Sequence, residues 1–264
     1  MSVGNVVVRK DYELIEVKDL TKCHGSTVIL DSVSFTALPG RVTGFVGPNG
    51  AGKSSTLRIL LGLDKATVGT ALIGGRRYRD IPRPLLTVGA LLDDAHPLPD
   101  RRVASHLKWV AQSNGITQSR VHEVLALVEL QDAAKLRVRT LSLGMNQRLG
   151  LAAALLGEPS ILILDEPVNG LDPEGIRWIR TFLRQYASRG NTVLVSSHLM
   201  SEMAATADDI VVIDKGQIVS SGTLAEVTAG FDSLEEAFFA LTVRAVANSG
   251  DADNGNADNG NADQ

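Results

Sequence analysis

Eight consecutive residues, 47–54, have the types and spacing with the clearest chemistry in this sequence. They read Gly-Pro-Asn-Gly-Ala-Gly-Lys-Ser and fit the pattern G-x-x-x-x-G-K-[ST]. Glycines let the backbone N–H groups turn toward oxygen anions, and the start of a helix adds a partial positive charge. The sequence therefore predicts a loop that binds the phosphates of a nucleotide. Its predicted binding residues are Gly47, Pro48, Asn49, Gly50, Ala51, Gly52, Lys53, Ser54 and Ser55.

Two side chains at the end of this loop have predicted roles in a reaction. In the pattern the lysine, Lys53, reaches the β- and γ-phosphates, and the hydroxyl of Ser54 is a ligand of Mg²⁺. The flanking residues favour this interpretation over a chance glycine-rich turn. An apolar run typical of a buried strand precedes the loop, and leucines at helical spacing follow it.

Two further apolar runs, 161–164 and 192–195, lead into polar residues: Asp165 and Glu166 follow the first, and His198 follows the second. The carboxyl ends of parallel strands meet at one edge of a sheet, so we expect these side chains beside the phosphate-binding loop. Asp165 is predicted to hold Mg²⁺ through water, and Glu166 to polarise an attacking water. His198 is predicted to contact the γ-phosphate and to hold Glu166 and the water in line. A strand-end acid pair and a structural histidine are the alternative.

A second anion site is predicted at Ser142 and Gly144. Both lie at the start of a predicted helix, where a hydroxyl, backbone N–H groups and the helix dipole combine. Capping of that helix by Ser142 is the alternative interpretation.

The elements that must position these groups follow from the hydrophobic pattern. Alternation over 13–20 and 27–35 predicts two antiparallel edge strands, joined by a turn at 21–26. Residues 62–70 have turn composition and are interpreted as a loop, whereas the apolar run 85–92 predicts a strand.

A helical block follows these strands. The patterns at 102–115 and 119–130 predict helices, with Ser119 as the N-cap of the second. No strand-like run interrupts this part of the sequence, which predicts a helical sub-domain at about 95–158. Histidines occur in it at irregular spacing that is not typical of a metal cluster, namely His96, His106 and His122.

Strands and helices alternate through the rest of the folded chain. Strands are predicted at 160–166 and 192–198, a helix at 176–187, a hairpin at 210–220, and helices at 224–227 and 234–246. The predicted fold class is α/β: a P-loop NTPase core with a mostly parallel sheet, an antiparallel β sub-domain and an inserted helical sub-domain.

Composition bounds the domain organisation. A flexible lead-in is predicted at 1–12 and one folded domain at 13–247. Residues 248–264 repeat small and polar residues without a large apolar one, which predicts a disordered tail.

The net charge of −4 argues against a nucleic-acid partner. The single cysteine excludes an intrachain disulfide, and no apolar run approaches the length of a membrane span, so we expect any membrane role to come through a partner.

Together these motifs resemble the nucleotide-binding domain of an ABC transporter, over about residues 14–241. The signature loop is the discriminating motif, because other phosphate-loop enzymes lack it and no Asn-Lys-x-Asp motif of a GTPase is present. The motifs appear in the family's order and at a similar spacing: the phosphate loop at 47–54, the signature Leu-Ser-Leu-Gly-Met at 141–145, the acidic strand at 161–166, the segment 169–172, and His198.

The resemblance implies a mechanism and partners. Two such domains, as a homodimer or with a paralogous chain, stack head to tail around two ATP molecules with Mg²⁺. Ser142 and Gly144 of one chain close on the γ-phosphate bound by the other, Asp172 lies at that interface, and hydrolysis separates the pair. The helical sub-domain contacts a separate membrane permease, at the cytoplasmic face of the membrane. Segment 233–238 is similar to that of ABC-2 type exporters linked to antibiotic and drug resistance.

Three residues depart from the family's pattern. His24 lies where an aromatic residue usually stacks on adenine, and imidazole offers less area. Asp93, or Asp94 in another register, lies where a glutamine usually contacts Mg²⁺ and the permease; an aspartate can also ligate Mg²⁺. Leu143 replaces a usual glycine of the signature. Each departure is a place where turnover could be slow.

Three other functions are compatible with parts of this pattern. A related ATPase that acts on DNA or ribosomes usually carries coiled-coil inserts or tandem domains, which this sequence lacks. A regulatory or immunity subunit that binds ATP with little turnover stays open because of His24 and Asp93. An importer ATPase also stays open, since substrate contacts belong to another chain.

Overall fold

The computed structural model describes residues 14–93 and 97–253, with side chains as far as residue 243. The predicted lead-in at 1–12 lies outside the described residues. Within them the chain has a six-stranded sheet, a three-stranded antiparallel sheet, and helices on both sides of the larger sheet. The predicted α/β fold class is confirmed.

The six-stranded sheet brings the predicted site residues to one edge. Its order is β5-β6-β7-β3-β8-β9, parallel except for the β8–β9 hairpin. Val46 at the end of β3 pairs with Ser197, and Asp165 at the end of β6 pairs with Ser196, so the carboxyl ends of these strands lie side by side. The strand bounds are β3 Val42–Val46, β5 Val88–Leu91, β6 Ile161–Asp165, β7 Thr192–Ser197, β8 Asp209–Asp214 and β9 Gln217–Thr223.

The central strands are buried along their whole length because both faces of the sheet are covered. Alternate residues of β6 join different apolar clusters: Leu162 and Leu164 pack with the helical side, and Ile161 and Ile163 with the side of the three-stranded sheet. The continuous apolar runs of the sequence are the consequence.

The three-stranded sheet differs from its prediction in two ways. Its order is β2-β1-β4, with β1 Ile15–His24, β2 Thr27–Ala37 and β4 Val68–Ile73, so β1 is central and not an edge strand. The predicted turn at 21–26 shortens to Gly25 and Ser26, with Gly25 at φ +60°. The end of the predicted loop at 62–70 belongs to β4, because pairing with β1 overrides its turn composition.

The helical block lies where the sequence predicts it, with one wrong cap. Helix α2 runs Val103–Ser113, α3 Gln118–Leu127 and α4 Leu143–Leu155, all within the predicted sub-domain. The N-cap position of α3 is Thr117 and not Ser119; the two hydroxyls bond each other at 2.9 Å. Between 97 and 158 the structure has no strand, apart from one isolated bridge pair.

The strand predicted at 85–92 is shorter in the structure. Pro84–Leu86 forms a 3₁₀ turn instead, and Arg83 before it lies at φ +51°, so only the last part enters the sheet as β5. The remaining helix bounds are α1 Lys53–Leu60, α5 Pro173–Ser188, α6 Met200–Ala204, α7 Leu224–Val227 and α8 Leu234–Asp253.

Helix α8 extends past its predicted end at residue 246. It includes 248–253, the start of the tail that the sequence predicts to be disordered. The helix can continue there because each added residue forms a backbone hydrogen bond and no new helix has to be nucleated. Residues 254–264 lie outside the described residues.

Candidate functional site

The phosphate-binding loop joins β3 to α1, as predicted, and two of its glycines are sterically required. A Cβ on Gly47 would lie 2.2 Å from the Ile213 carbonyl oxygen. Gly52 has φ +107°, and its Cβ would lie 2.5 Å from Leu30 Cδ2. The loop therefore passes so close to β8 and β2 that side chains at these positions would displace it.

Lys53 begins α1 and turns back over the loop. Its side chain is buried, and Nζ donates to the carbonyl oxygens of Gly47 at 2.7 Å and Pro48 at 3.2 Å. Nζ also lies 3.4 Å from Glu166 Oε1. An ammonium group has three donors: two are hydrogen-bonded to these carbonyls, and the Glu166 carboxylate is a charge partner that forms no hydrogen bond with it.

The Glu166 carboxylate lies between Lys53 and His198. Oε2 lies 2.9 Å from His198 Nδ1 and accepts from the His198 backbone N–H at 3.3 Å. Oε1 is buried and makes no hydrogen bond with the described residues, although the Lys53 charge is close. A buried acceptor of this kind has capacity for a donor such as water.

The backbone of Glu166 is strained and held from several sides. Its φ of +50° is in the left-handed region, which is unfavourable for a residue with a Cβ. Its N–H group lies near the carbonyl oxygen of Ser196 at 3.2 Å and Oγ of Ser196 at 3.1 Å. Its carbonyl accepts from Gln147 Nε2 at 3.0 Å and from the Asn169 N–H at 3.1 Å.

Oxygen donors suited to Mg²⁺ lie around the same edge. Ser54 and Asp93 line the cleft and are exposed, whereas Asp165 is 2% exposed and accepts from Ser196 Oγ. The described residues contain no group of three or more His, Cys, Asp or Glu that could hold a metal without help. A hydroxyl and carboxylates that supplement phosphate oxygens are the donor set that Mg²⁺ prefers, so these residues fit the ion.

These groups surround an open cleft of about 330 Å³. The structure therefore brings together the loop, Lys53, Glu166, His198 and Asp93, as the sequence predicts. The residues that line the cleft are Asn49, Gly50, Gly52, Lys53, Ser54, Ser55, Asp93, Glu166, Asn169 and His198.

Eight predicted binding residues lie outside this lining: Gly47, Pro48 and Ala51 belong to the loop itself, Asp165 is buried at the end of β6, and the other four lie elsewhere. Ser142 is exposed and caps α4, where Oγ accepts from the Met145 N–H at 3.2 Å; Gly144 is in the first turn of that helix. Asp172 caps α5 and accepts from the Gly175 N–H at 2.8 Å. His24 is exposed at the end of β1, and Asp94, the alternative to Asp93, lies outside the described residues.

Known proteins identify the family of this arrangement. The family model described as ABC transporter matches residues 30–169, which include the phosphate loop, the signature and the acidic strand. The chain belongs to the ABC transporter family. As an ABC ATPase, it binds and hydrolyses ATP. In the described residues no helix has both the length and the apolarity that a bilayer crossing needs.

Similar proteins include two ABC transport subunits and one solved structure. The lantibiotic transport ATP-binding protein SrtF of Streptococcus pyogenes is 36% identical over 225 residues, 85% of this chain and 96% of the relative. The bacitracin transport ATP-binding protein BcrA of Bacillus licheniformis is 38% identical over 209 residues, 78% of this chain and 68% of the relative. A structure described as the ATP binding subunit of an ABC transporter has a TM-score of 0.79 and 27% identity, and covers 87% of this chain and 99% of its own.

Sequence reasoning missed three residues of this ABC site. Ser196 bonds both acids, Gln147 bonds the Glu166 carbonyl, and Asn169 lines the cleft. A signal for Ser196 was present, because a hydroxyl at the end of an otherwise apolar buried strand must find a partner. Gln147 had no local signal, since its partner is nineteen positions away on another element.

Proposed function

We propose that this ABC ATPase energises a separate membrane permease that exports antibiotic-like or other hydrophobic compounds, from the cytoplasmic face of the membrane. The names of SrtF and BcrA, which assign lantibiotic and bacitracin transport to those proteins, support the substrate class. The exporter-like segment 233–238 supports the direction. The helical sub-domain is the surface that we propose for the permease.

The hydrolytic roles that we propose follow from the contacts of Glu166. Its buried carboxylate, with Oε1 open to a further donor, accepts a proton from the water that attacks the γ-phosphate. His198, 2.9 Å from Oε2, fixes the direction of this carboxylate and contacts the γ-phosphate. The position of the carboxylate between Lys53 and His198 is the observation that carries the proposal.

Nucleotide binding requires Lys53 to exchange partners. The loop N–H groups and the α1 N-terminus bind the phosphates, while Lys53 Nζ leaves the Gly47 and Pro48 carbonyls for the β- and γ-phosphate oxygens. Ser54, with Asp165 acting through water and Asp93 beside it, would hold Mg²⁺. The ion neutralises phosphate charge when it is bound.

We further propose that two chains, identical or paralogous, complete each site. Ser142 is exposed, Gly144 is half-buried, and both lie outside the lining of their own chain's cleft, which supports a role toward the γ-phosphate on a second chain. The exposed Asp172 would lie at that interface. His24 would stack on the adenine ring from the chain that binds it.

Replacement of Glu166 by Gln tests the proposal. Glu166→Gln keeps the size of the side chain but removes the base, so phosphate release should fall by about 100-fold or more while ATP binding persists. In size-exclusion chromatography with ATP and Mg²⁺ this variant should run as a dimer. Glu174→Gln, an exposed acid in the first turn of α5, is the matched control. Monomers of Glu166→Gln under ATP, or wild-type turnover, would contradict the proposed site.

The transport role has its own test. Cells that lack the gene should become more sensitive to lanthionine peptides or bacitracin, and the wild-type gene should restore resistance. The Glu166→Gln gene should not restore it. Unchanged sensitivity of the deletion strain to such compounds would remove the proposed substrate class and leave the ATPase assignment intact.

A further inference from the structure

Helix α4 touches the turn after Glu166 at two points. Gln147 Nε2 donates to the Glu166 carbonyl at 3.0 Å. Toward the start of the helix, a Cβ on Gly170 would lie 2.3 Å from Leu143 Cδ2, so these residues are packed together. The signature helix and the 166–170 turn are therefore in contact at both ends of the turn.

The carbonyl of Glu166 accepts one bond from within its turn and one from outside. The N–H of Asn169 is three residues further along the same turn, whereas Gln147 belongs to α4. A carbonyl oxygen has two lone pairs, and both are used here. Ser196 holds the N–H side of the residue. Gln147 and Ser196 thus tie Glu166 to two neighbouring elements.

These bonds matter because Glu166 lies in an unfavourable backbone region. At φ +50° the residue persists only where its surroundings over-determine it. The Ser196 contacts restrict φ and the Gln147 bond restricts ψ, and the two angles together set the direction of the Cα–Cβ bond. That direction decides where the carboxylate points.

We propose that Gln147 is a positioning residue for ATP hydrolysis: its amide fixes the Glu166 peptide plane and through it the aim of the Glu166 carboxylate. The inference rests on the proposed role of Glu166 in the hydrolytic step. Gln147 does not line the phosphate cleft, so its effect passes through Glu166 and not through nucleotide contact. Small errors in the position of a reacting group can lower a rate by about 100-fold.

The test separates turnover from binding. Gln147→Leu keeps a similar volume without an N–H donor, and should lower kcat for phosphate release by about tenfold, with KM and nucleotide affinity unchanged. Gln147→Lys restores a donor that can reach the same carbonyl, and should bring kcat to within about threefold of wild type. Gln112→Leu, on the exposed surface of α2, is the matched control and should have wild-type kinetics.

A double variant tests whether Gln147 acts through Glu166. Residues that act as one unit have non-additive effects, so Gln147→Leu should cause no further loss in a Glu166→Gln background. If Gln147→Leu does not fold, as judged by circular dichroism, Gln147→Glu supplies the same test with an isosteric side chain that cannot donate when ionised.

Each contrary result has a distinct meaning. A folded Gln147→Leu with wild-type kcat, a parallel rise in KM, or no rescue by Gln147→Lys would overturn the positioning role. If Glu166→Gln keeps wild-type turnover, the proposed function of Glu166 fails instead. If Glu166→Gln loses turnover while the Gln147 variants keep wild-type turnover, only the positioning role of Gln147 is contradicted.

Discussion

In the proposed two-chain site, the strand-end edge and the start of α4 face the same phosphate from different chains, but the two regions are built differently. At the strand ends Lys53 and Glu166 are 5% and 7% exposed, and each is held by several internal contacts. At the start of α4, Ser142 is exposed and its hydroxyl accepts from the Met145 N–H in the first turn of the same helix, while Leu143 is 67% exposed. The first region is preorganised within one chain. The second presents its groups outward, where a second chain could meet them.

Lys53→Ala should have the largest effect, because it acts on the preorganised half. It removes the phosphate contact and leaves the buried Glu166 carboxylate without its nearest cation. Both ATP affinity and turnover should fall by about 100-fold or more. Equilibrium binding of a fluorescent nucleotide and phosphate release measure this, with the exposed Lys65→Ala as control. Wild-type nucleotide affinity in the folded variant would contradict the assignment of this loop to phosphate binding.

Ser142→Ala should separate the two regions. Nucleotide binding by a single chain should not change, because Ser142 lies outside the lining of its own cleft. Turnover and ATP-dependent dimer formation should fall by about tenfold, since one hydroxyl donor to the γ-phosphate is lost. Ser119→Ala, an exposed serine near the start of α3, should change neither. If the dilute monomer loses nucleotide affinity by the same factor as turnover falls, Ser142 contacts the nucleotide bound by its own chain.

Gly170→Ala tests the contact between the two regions. At φ +75° an alanine is strained, and its Cβ would also collide with Leu143, so unfolding free energy should fall by about 2–3 kcal/mol. Gly115→Ala has a similar φ of +69° with open space around the Cβ, and should cost about 1 kcal/mol. Urea denaturation measures both.

The collision itself has a direct check. Adding Leu143→Ala to Gly170→Ala should recover the difference between the two glycine variants, because the atoms in conflict are removed. No recovery would mean that backbone strain alone explains the loss.

Glu226→Gln should have the smallest effect, because it lies at the start of α7, away from both regions. The Thr223 backbone N–H is the main cause that lowers the pKa of Glu226 below its ordinary value of 4.5, and the Thr223 side chain adds to it. A carboxylate whose pKa is lower in the folded chain than in the unfolded chain adds stability at pH values above its unfolded pKa. That stability is lost as the pH falls through the folded pKa. The stability difference from wild type should therefore exist at neutral pH and disappear in acid, with turnover unchanged. A difference in unfolding free energy that does not change with pH would exclude the lowered pKa of Glu226 as its cause.

The sequence predicted the strand-end half of the site better than the supports around it. Glu166, His198 and the loop follow apolar runs, and parallel strands bring such positions to one edge whatever the details of packing. Gln147 acts through a partner that is remote in sequence, so no local pattern predicts it, whereas the hydroxyl of Ser196 in an apolar strand signals a partner without identifying it. The Ser119 cap was wrong because Thr117 competes for the same position, and either residue type suits it.

The β sub-domain illustrates a second limit. Gly69 gave residues 62–70 the composition of a loop, yet a Cβ there would lie 2.2 Å from the Asp19 carbonyl oxygen. The glycine permits a close backbone approach at the start of β4, and does not end a strand. Glycine marks both situations in a sequence, and only the pairing partner distinguishes them.

The left-handed backbone of Glu166 sets stability against activity at a single position. Glycine or asparagine would relax that backbone but would leave the buried Lys53 ammonium without its nearest anion, so the strain can be removed only by giving up the carboxylate that balances this charge.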